Sequence, residues 1–412
     1  MGEDFGDVVR RYMDERGLSG RATARAAGYS DHTLLSKAMN GSKAVTPNLA
    51  ARLDKALGAD GEIIDAARTL CARAAAEAVV LPLRELADHA AELGARAESG
   101  SAGPGIIGTL ADEVDRVGRE YPTGAPGPLI LRASDASRRA AVLLRQHQRL
   151  RHARDLYVVA AGACAFMSVA LGDLGKQAEA ASYARTALTL AEESADPGAV
   201  AVALSALSKV AFWDGRRQHA ADLAARGYAT ARKGDPLRVL LACQQADASP
   251  LPSARDALAT AAVARDDAGP VEAGLFTCTG VRLAAYSATL ALREGSLPGV
   301  LSAAASGEAA AAGDGEEVPH GSWVQLQIAA ALALLASGDA DGAAARLGPV
   351  LGLPAEMRLA TFAGRLAAAA AIASAPGYRG SSTARGIAED VAGYLGAEPP
   401  PMPYPLAIGS GK

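Results

Sequence analysis

Over the first 70 residues, short apolar stripes alternate with turn-forming residues, and the spacing of the stripes is helical. Phe5, Val8, Val9 and Tyr12 fall on one side of a helix from Asp4 to Arg16, which Gly17 ends. From Ser19 to Asn40 the pattern predicts two short helices and a tight turn. Ser19 is the N-cap of the first, and Thr23, Ala24 and Ala27 are its small inward positions. Gly28 occupies the turn, where glycine takes a positive φ without steric cost. Asp31 is expected to cap the second helix, Leu34, Leu35 and Ala38 form its apolar side, and Asn40-Gly41 stops it. Thr46-Pro47 opens a fourth helix that carries Leu49, Leu53, Ala56 and Leu57 inward and stops at Gly58. A fifth begins near Glu62, with Ile63, Ile64, Ala67 and Leu70 inward. Helix, glycine turn, helix is the geometry that sets a second helix into the DNA major groove.

Beyond this head the pattern changes. Residues 76–128 read as a helical connector, periodic through Leu86 and Leu93, interrupted by Pro82 and by a Gly/Ser-rich stretch at 99–105. A helix from Ile106 to Arg119 follows, then a Pro/Gly cluster from Tyr121 to Pro128. Residues 129–396 read as an array of helical hairpins. An arginine-rich helix, Leu129 to Arg151, leads into Ala153–Leu171 with Gln177–Glu193, then Gly198–Phe212 with Gln218–Arg232. The pattern blurs at QQADASPLPSARDALATAAVARDD and returns at Ala273–Arg293, Trp323–Leu335 and Met357–Ala375. The turn glycines Gly175, Gly215, Gly295 and Gly338 stand about 40, 80 and 43 residues apart, a period typical of α-solenoids. Residues 397–412 form a proline-rich tail.

Composition narrows the class. Half of the 412 residues are apolar but only 4% are aromatic, and alanine and leucine dominate, so an all-α chain is expected. A net charge of -4 argues against a chain-wide nucleic-acid coat but leaves room for one small DNA-reading module. Cys71, Cys164, Cys243 and Cys278 are scattered, which signals neither zinc nor a disulfide frame. His147 and His152 lack ligand spacing, so no metal is expected, and no cofactor or catalytic motif is present. The run Leu359 to Ala375 contains Arg365 and is short for a membrane span. The N-terminus is acidic and amphipathic, unlike a signal peptide, so a cytoplasmic, non-enzymatic protein is expected. The basic run Arg138, Arg139, Arg145, Arg149, Arg151 and Arg154, flanked by Asp135 and Asp155, reads as a solvated, ion-paired face.

The stretch GLSGRATARAAGYSDHTLLSKAMNGSKAVTPNLAARLDKALG resembles the Xre family of helix-turn-helix regulators, related to phage Cro and lambda repressors, over residues 4 to 74. The resemblance implies a five-helix DNA-binding domain. Three features depart from the family pattern. Gly20 replaces a phosphate-clamping glutamine, the turn is one residue longer, and Met13 and Met39 stand where an arginine–glutamate pair is common. The fragments LGDLGKQAEAASYARTALTLAEESADP and WDGRRQHAADLAARGYATARKGDP resemble tetratricopeptide repeats. Together they resemble bacterial one-component regulators, some of which sense peptides or small molecules. Others, in GC-rich bacteria, act in development and secondary metabolism.

On the exposed face of the second helix, His32, Thr33, Ser36 and Lys37 are the candidate base readers. Arg21, Arg25, Asn40, Ser42 and Lys43 flank them and suit phosphate contacts. Candidate effector contacts on the concave face of the array are Tyr157, Trp213, Arg216, Arg282, Tyr286, Trp323 and Gln327. The expected partners are a double-stranded operator with an inverted repeat, a second copy of the chain, and a peptide or small-molecule effector; no membrane is expected. The alternative is a repeat-based adaptor whose head no longer reads DNA.

Overall fold

The computed structural model describes residues 4–43, 45–70, 103–146, 148–269, 271–312 and 320–396. The expected helix through Leu86 and Leu93, the stretch 99–102, Cys71, His147 and the proline-rich tail lie outside the described residues. The fold is all-helical, with no strand among the described residues. The chain divides into two compact units, Met1–Arg96 and Ala97–Lys412.

The first unit contains α1 (Phe5–Glu15), α2 (Gly20–Ala26), α3 (Thr33–Met39), α4 (Pro47–Leu57) and α5 (62–70). Three of these starts carry a side-chain cap. Asp4, Ser19 and Thr46 accept backbone N–H bonds from Asp7, Ala22 and Leu49, which satisfies donors that a helix leaves open. Asp54 accepts from the N–H groups of Gly61 and Ile63 and so ties the start of α5 to α4. Phe5, Val9, Leu35, Leu49, Leu53, Leu57 and Ile63 meet in one core. Leu70, expected on the inward stripe, is exposed; among the described residues the last buried member of this core is Ala67.

The second unit opens with α6 (Pro104–Glu120) and α7 (Pro126–Leu144), which pack on α8 (Leu150–Asp173). Hairpins then follow: α8 with α9 (Gln177–Ser194), α10 (Pro197–Trp213) with α11 (Arg217–Thr230), and α12 (Leu237–Ala248) with α13 (Leu251–Ala268). They continue as α14 (Gly280–Glu294) with α15 (Leu297–Ala312), α16 (His320–Ala336) with α17 (Ala340–Leu351), and α18 (Ala363–Ala373) with α19 (Ser382–Leu395). The first helices α8, α10, α12, α14, α16 and α18 touch in sequence, so the unit is a one-dimensional stack. Alanines such as Ala180, Ala184, Ala187 and Ala191 carry the contacts, and their small side chains let backbones approach. Gly227 is one such place: a Cβ there would stand 2.7 Å from Leu241.

Several expected boundaries move. The arginine-rich helix stops at Leu144, and a new helix starts at Leu150, because the Gln148 side chain caps the Leu143 carbonyl. The blurred segment is a regular hairpin, α12 and α13, turned at Ser249-Pro250. Helix α14 begins only at Gly280, where the Thr279 hydroxyl accepts the Arg282 N–H. The run from Leu359 is a 3₁₀ turn, Ala360–Phe362, and then the short α18. Among the described residues, one helix, Leu150–Asp173, is long and apolar enough to cross a membrane, and 72% of its apolar window is buried inside the unit. Arg138 and Arg139 pair with Asp135.

Late segments return to early ones. The 3₁₀ turns Ala355–Met357 and Ala360–Phe362 contact α7 and α8. Leu275 N–H donates to the Gly118 carbonyl (2.9 Å), and His320 N–H donates to the Pro122 carbonyl (2.6 Å). The stack therefore curls until its concave face encloses a cavity.

Candidate DNA-reading face and the cavity of the array

Helix α3 is positioned by the turn before it. Gly28 has φ +79°, a left-handed conformation that β-carbon-bearing residues resist. Arg52 on α4 donates to the Gly28 carbonyl (3.1 Å), and its guanidinium lies 4.4 Å from the Tyr29 ring centre. This lock across 24 residues escaped the sequence reading, because nothing in the local pattern links Arg52 to the turn. The N-cap position of α3 is His32, which makes no side-chain capping bond. Asp31, expected as the cap, sits one residue earlier. It accepts the Thr33 N–H (3.0 Å), and bonding to Thr33 holds its carboxyl below the usual value.

Leu35 and Ala38 of α3 are buried, each with 2% exposure. The helical period puts Thr33, Ser36, Lys37 and Asn40 on one outward face, and all four are exposed; His32, at its edge, is half-buried. Arg21, Arg25, Ser42 and Lys43 are exposed as well. The nine nominated residues are thus all exposed or half-buried, on α2, on α3 and its ends, and on the turn after α3. Gly20 presents no side chain there, and the Met13 methyl lies 3.9 Å from where its Cβ would stand. Met13 and Met39 are both partly buried at the margin of the head core.

Charge is segregated on the head. Arg10, Arg11 and Arg68 pair with Asp7, Glu62 and Asp65. Among the described residues, Arg21, Arg25, Lys37 and Lys43 have no carboxylate partner. Unpaired cations beside an exposed helix face are what a phosphate backbone attracts.

The array holds a second site. Its concave face encloses a cavity of about 180 Å³. The α6–α7 turn contributes Tyr121, Pro122 and Gly124, and α10 contributes Ser208, Lys209, Phe212 and Trp213. Gln244 and Asp247 of α12, Arg282, Tyr286 and Thr289 of α14, His320 and Gln325 of α16, Thr361 and Phe362 from the 3₁₀ turn and Arg365 of α18 also line it, as does Asp173. Asp173 accepts from the Tyr121 hydroxyl (3.0 Å) and from Lys209 Nζ (2.8 Å). Arg365 donates to the Thr289 hydroxyl (2.8 Å). Arg282 Nη1 donates to the carbonyls of Leu275 (2.8 Å) and Thr277 (2.6 Å). Burial pushes the Asp247 carboxyl up, against the opposing pull of Arg365, Arg293 and Arg217. Burial also pushes the Tyr286 phenol up.

Of the nominated effector contacts, Trp213, Arg282 and Tyr286 line this cavity. The others do not. Arg216 is exposed and pairs with Asp214, Gln327 is buried and accepts from Arg346, and Trp323 packs against the core of the last hairpins. Tyr157 lies half-buried on α8. Asp173, Lys209, Asp247, Gln325 and Arg365 were missed; they are single polar residues on apolar helices, a pattern also met in ordinary capping and packing.

Residues 4–67 match the family model described as a helix-turn-helix domain. No curated protein matches the chain.

Proposed function

We propose that the chain is a sequence-specific transcriptional regulator that binds operator DNA as a homodimer through α3, with no catalytic chemistry of its own. The helix-turn-helix match and the four unpaired cations around α3 support DNA binding. A dimer would set two recognition helices one helical turn apart on a near-palindromic site. The array, in this reading a tetratricopeptide-like unit of a cytoplasmic protein, supplies the dimer contact, the effector site or both. An effector would act by binding the DNA-competent and DNA-incompetent states unequally.

The test is selection of bound duplexes from a random library by the whole protein at moderate salt. An enriched inverted repeat establishes the dimeric regulator, and its half-site spacing measures the distance between recognition helices. If the whole chain enriches nothing, selection with residues 1–75 asks whether the array holds the head inactive.

A second reading, an adaptor with a silent head, is favoured by Gly20 and by charge balance: residues 1–70 carry ten basic and ten acidic side chains. Affinity that falls steeply with salt supports the regulator; no binding to any duplex supports the adaptor.

A further inference from the structure

We infer that the cavity of the array is a binding site for a small amphipathic carboxylic acid, its carboxylate on the free edge of Arg282 and its apolar body against Phe212, Trp213 and Phe362. This assignment deepens the effector-sensing reading above and rests on it for its biological role.

Size comes first. A cavity near 150 Å³ holds the six carbons of benzene, so about 180 Å³ admits a ligand body of roughly seven or eight non-hydrogen atoms beside its carboxylate. An extended peptide of several residues is too large. The apolar end is well defined, since Phe212 and Trp213 meet edge to face with ring centres 5.5 Å apart.

Charge selects the head group. Asp173 is neutralised by Lys209. Asp247 is faced by Arg365, Arg293 and Arg217, which disfavours a cationic ligand. Arg282 differs. Its Nη1 is spent on the carbonyls of Gly274, Leu275 and Thr277, and its guanidinium makes no other hydrogen bond or ion pair among the described residues. The three carbonyls fix the plane of the guanidinium, and the remaining edge offers Nη2 and Nε as parallel donors. That fork matches one carboxylate. A phosphate dianion would need more donors than one guanidinium edge supplies, and Asp173 and Asp247 would oppose its second charge. Asp247 Oδ1 is buried and accepts no hydrogen bond, so an acid that also carries a hydroxyl is favoured.

The whole protein is titrated by calorimetry with 4-hydroxyphenylacetate, phenylacetate and hexanoate, each beside its primary amide, and with inorganic phosphate. At least one acid binds in the micromolar to low-millimolar range, and its amide binds about tenfold weaker or less. Arg282→Gln removes the preference for acid over amide. Because Arg282 also ties down residues 274–277, its helicity and melting are checked by circular dichroism. Trp213→Ala, which leaves Arg282 untouched, weakens acid and amide alike. Equal affinity for acid and amide, phosphate binding tighter than every acid, or no binding by any acid overturns the assignment. Acid binding that leaves operator affinity unchanged upholds the site and removes its effector role. Operator binding with no acid binding upholds the regulator and removes the site.

Discussion

The two units solve the packing problem differently. The head builds one core from large side chains, with Leu49, Leu53, Leu57 and Ile63 at 0–2% exposure. The array spreads its burial over alanines and stacks thin hairpins, so each contact is small and many are repeated. Side-chain caps mark helix starts in both units, at α1, α2 and α4 of the head and at α10, α14, α17 and α19 of the array. In the array a buried arginine also serves a helix end: Arg293 donates to the carbonyls of Ala246, Asp247 and Ser249 at the end of α12. A compact core concentrates vulnerability, whereas a stack confines it to one hairpin.

That contrast can be broken most severely in the head. Leu53→Ala should cost about 2–5 kcal/mol, enough to unfold a small unit. Hydrogen exchange would then show protection lost across residues 5–69 and retained in the array. Protection retained in both would mean that the head core is not its main support. Arg293→Ala, the corresponding test in the array, should cost about 2–3 kcal/mol by orphaning buried carbonyls. Its exchange should rise locally, in α12 to α14, and a global collapse would argue against a stack of semi-independent hairpins.

Lys37→Ala separates function from folding. It should leave melting unchanged and weaken binding to the selected operator by about 1–3 kcal/mol, with relaxed preference at one base position. A uniform loss over all sequences would instead reassign Lys37 to phosphate. Gly28→Ala should destabilise the head by about 1–2 kcal/mol, through the positive φ and through collision with Arg52.

The smallest effect is a difference in the sign of the pH response. In the head, Arg10, Thr33 and Arg11 hold the carboxyls of Asp7, Asp31 and Glu62 below their usual values. Their contribution is therefore complete above the ordinary carboxylate range and is lost as pH falls through it. Asp247 is displaced upward, so the folded array binds its proton more tightly than the unfolded chain. Its contribution grows as pH falls from neutral toward the ordinary Asp value. Melting of Asp247→Asn against the parent from pH 7 to about pH 4 should show that gain disappear.

Local signals made the head readable. Gly28, Thr46-Pro47 and Gly58 act within a few residues of where they stand, and apolar stripes of period 3.6 name the buried face directly. The array was readable as helices but not at its joints. In α16, alanines and leucines are buried nearly all round, so no stripe marks an inner face. The ends of α7 and α14 depend on Gln148 and Thr279, residues with no unusual context in the sequence. The candidate DNA face was named from surface periodicity; the Arg52 lock and the unpaired state of its cations required coordinates.

The sequence alone determined the helical class, the glycine-turned pair in the head and the repeating hairpins, because propensity, capping and periodicity are short-range properties. Tertiary structure decided the rest. The curl of the stack carries Tyr121, Asp247, Arg282 and Arg365 into one cavity from segments far apart in the chain. Which polar side chains converge there depends on how each hairpin rotates on the last, and that angle is set by packing summed over many small contacts.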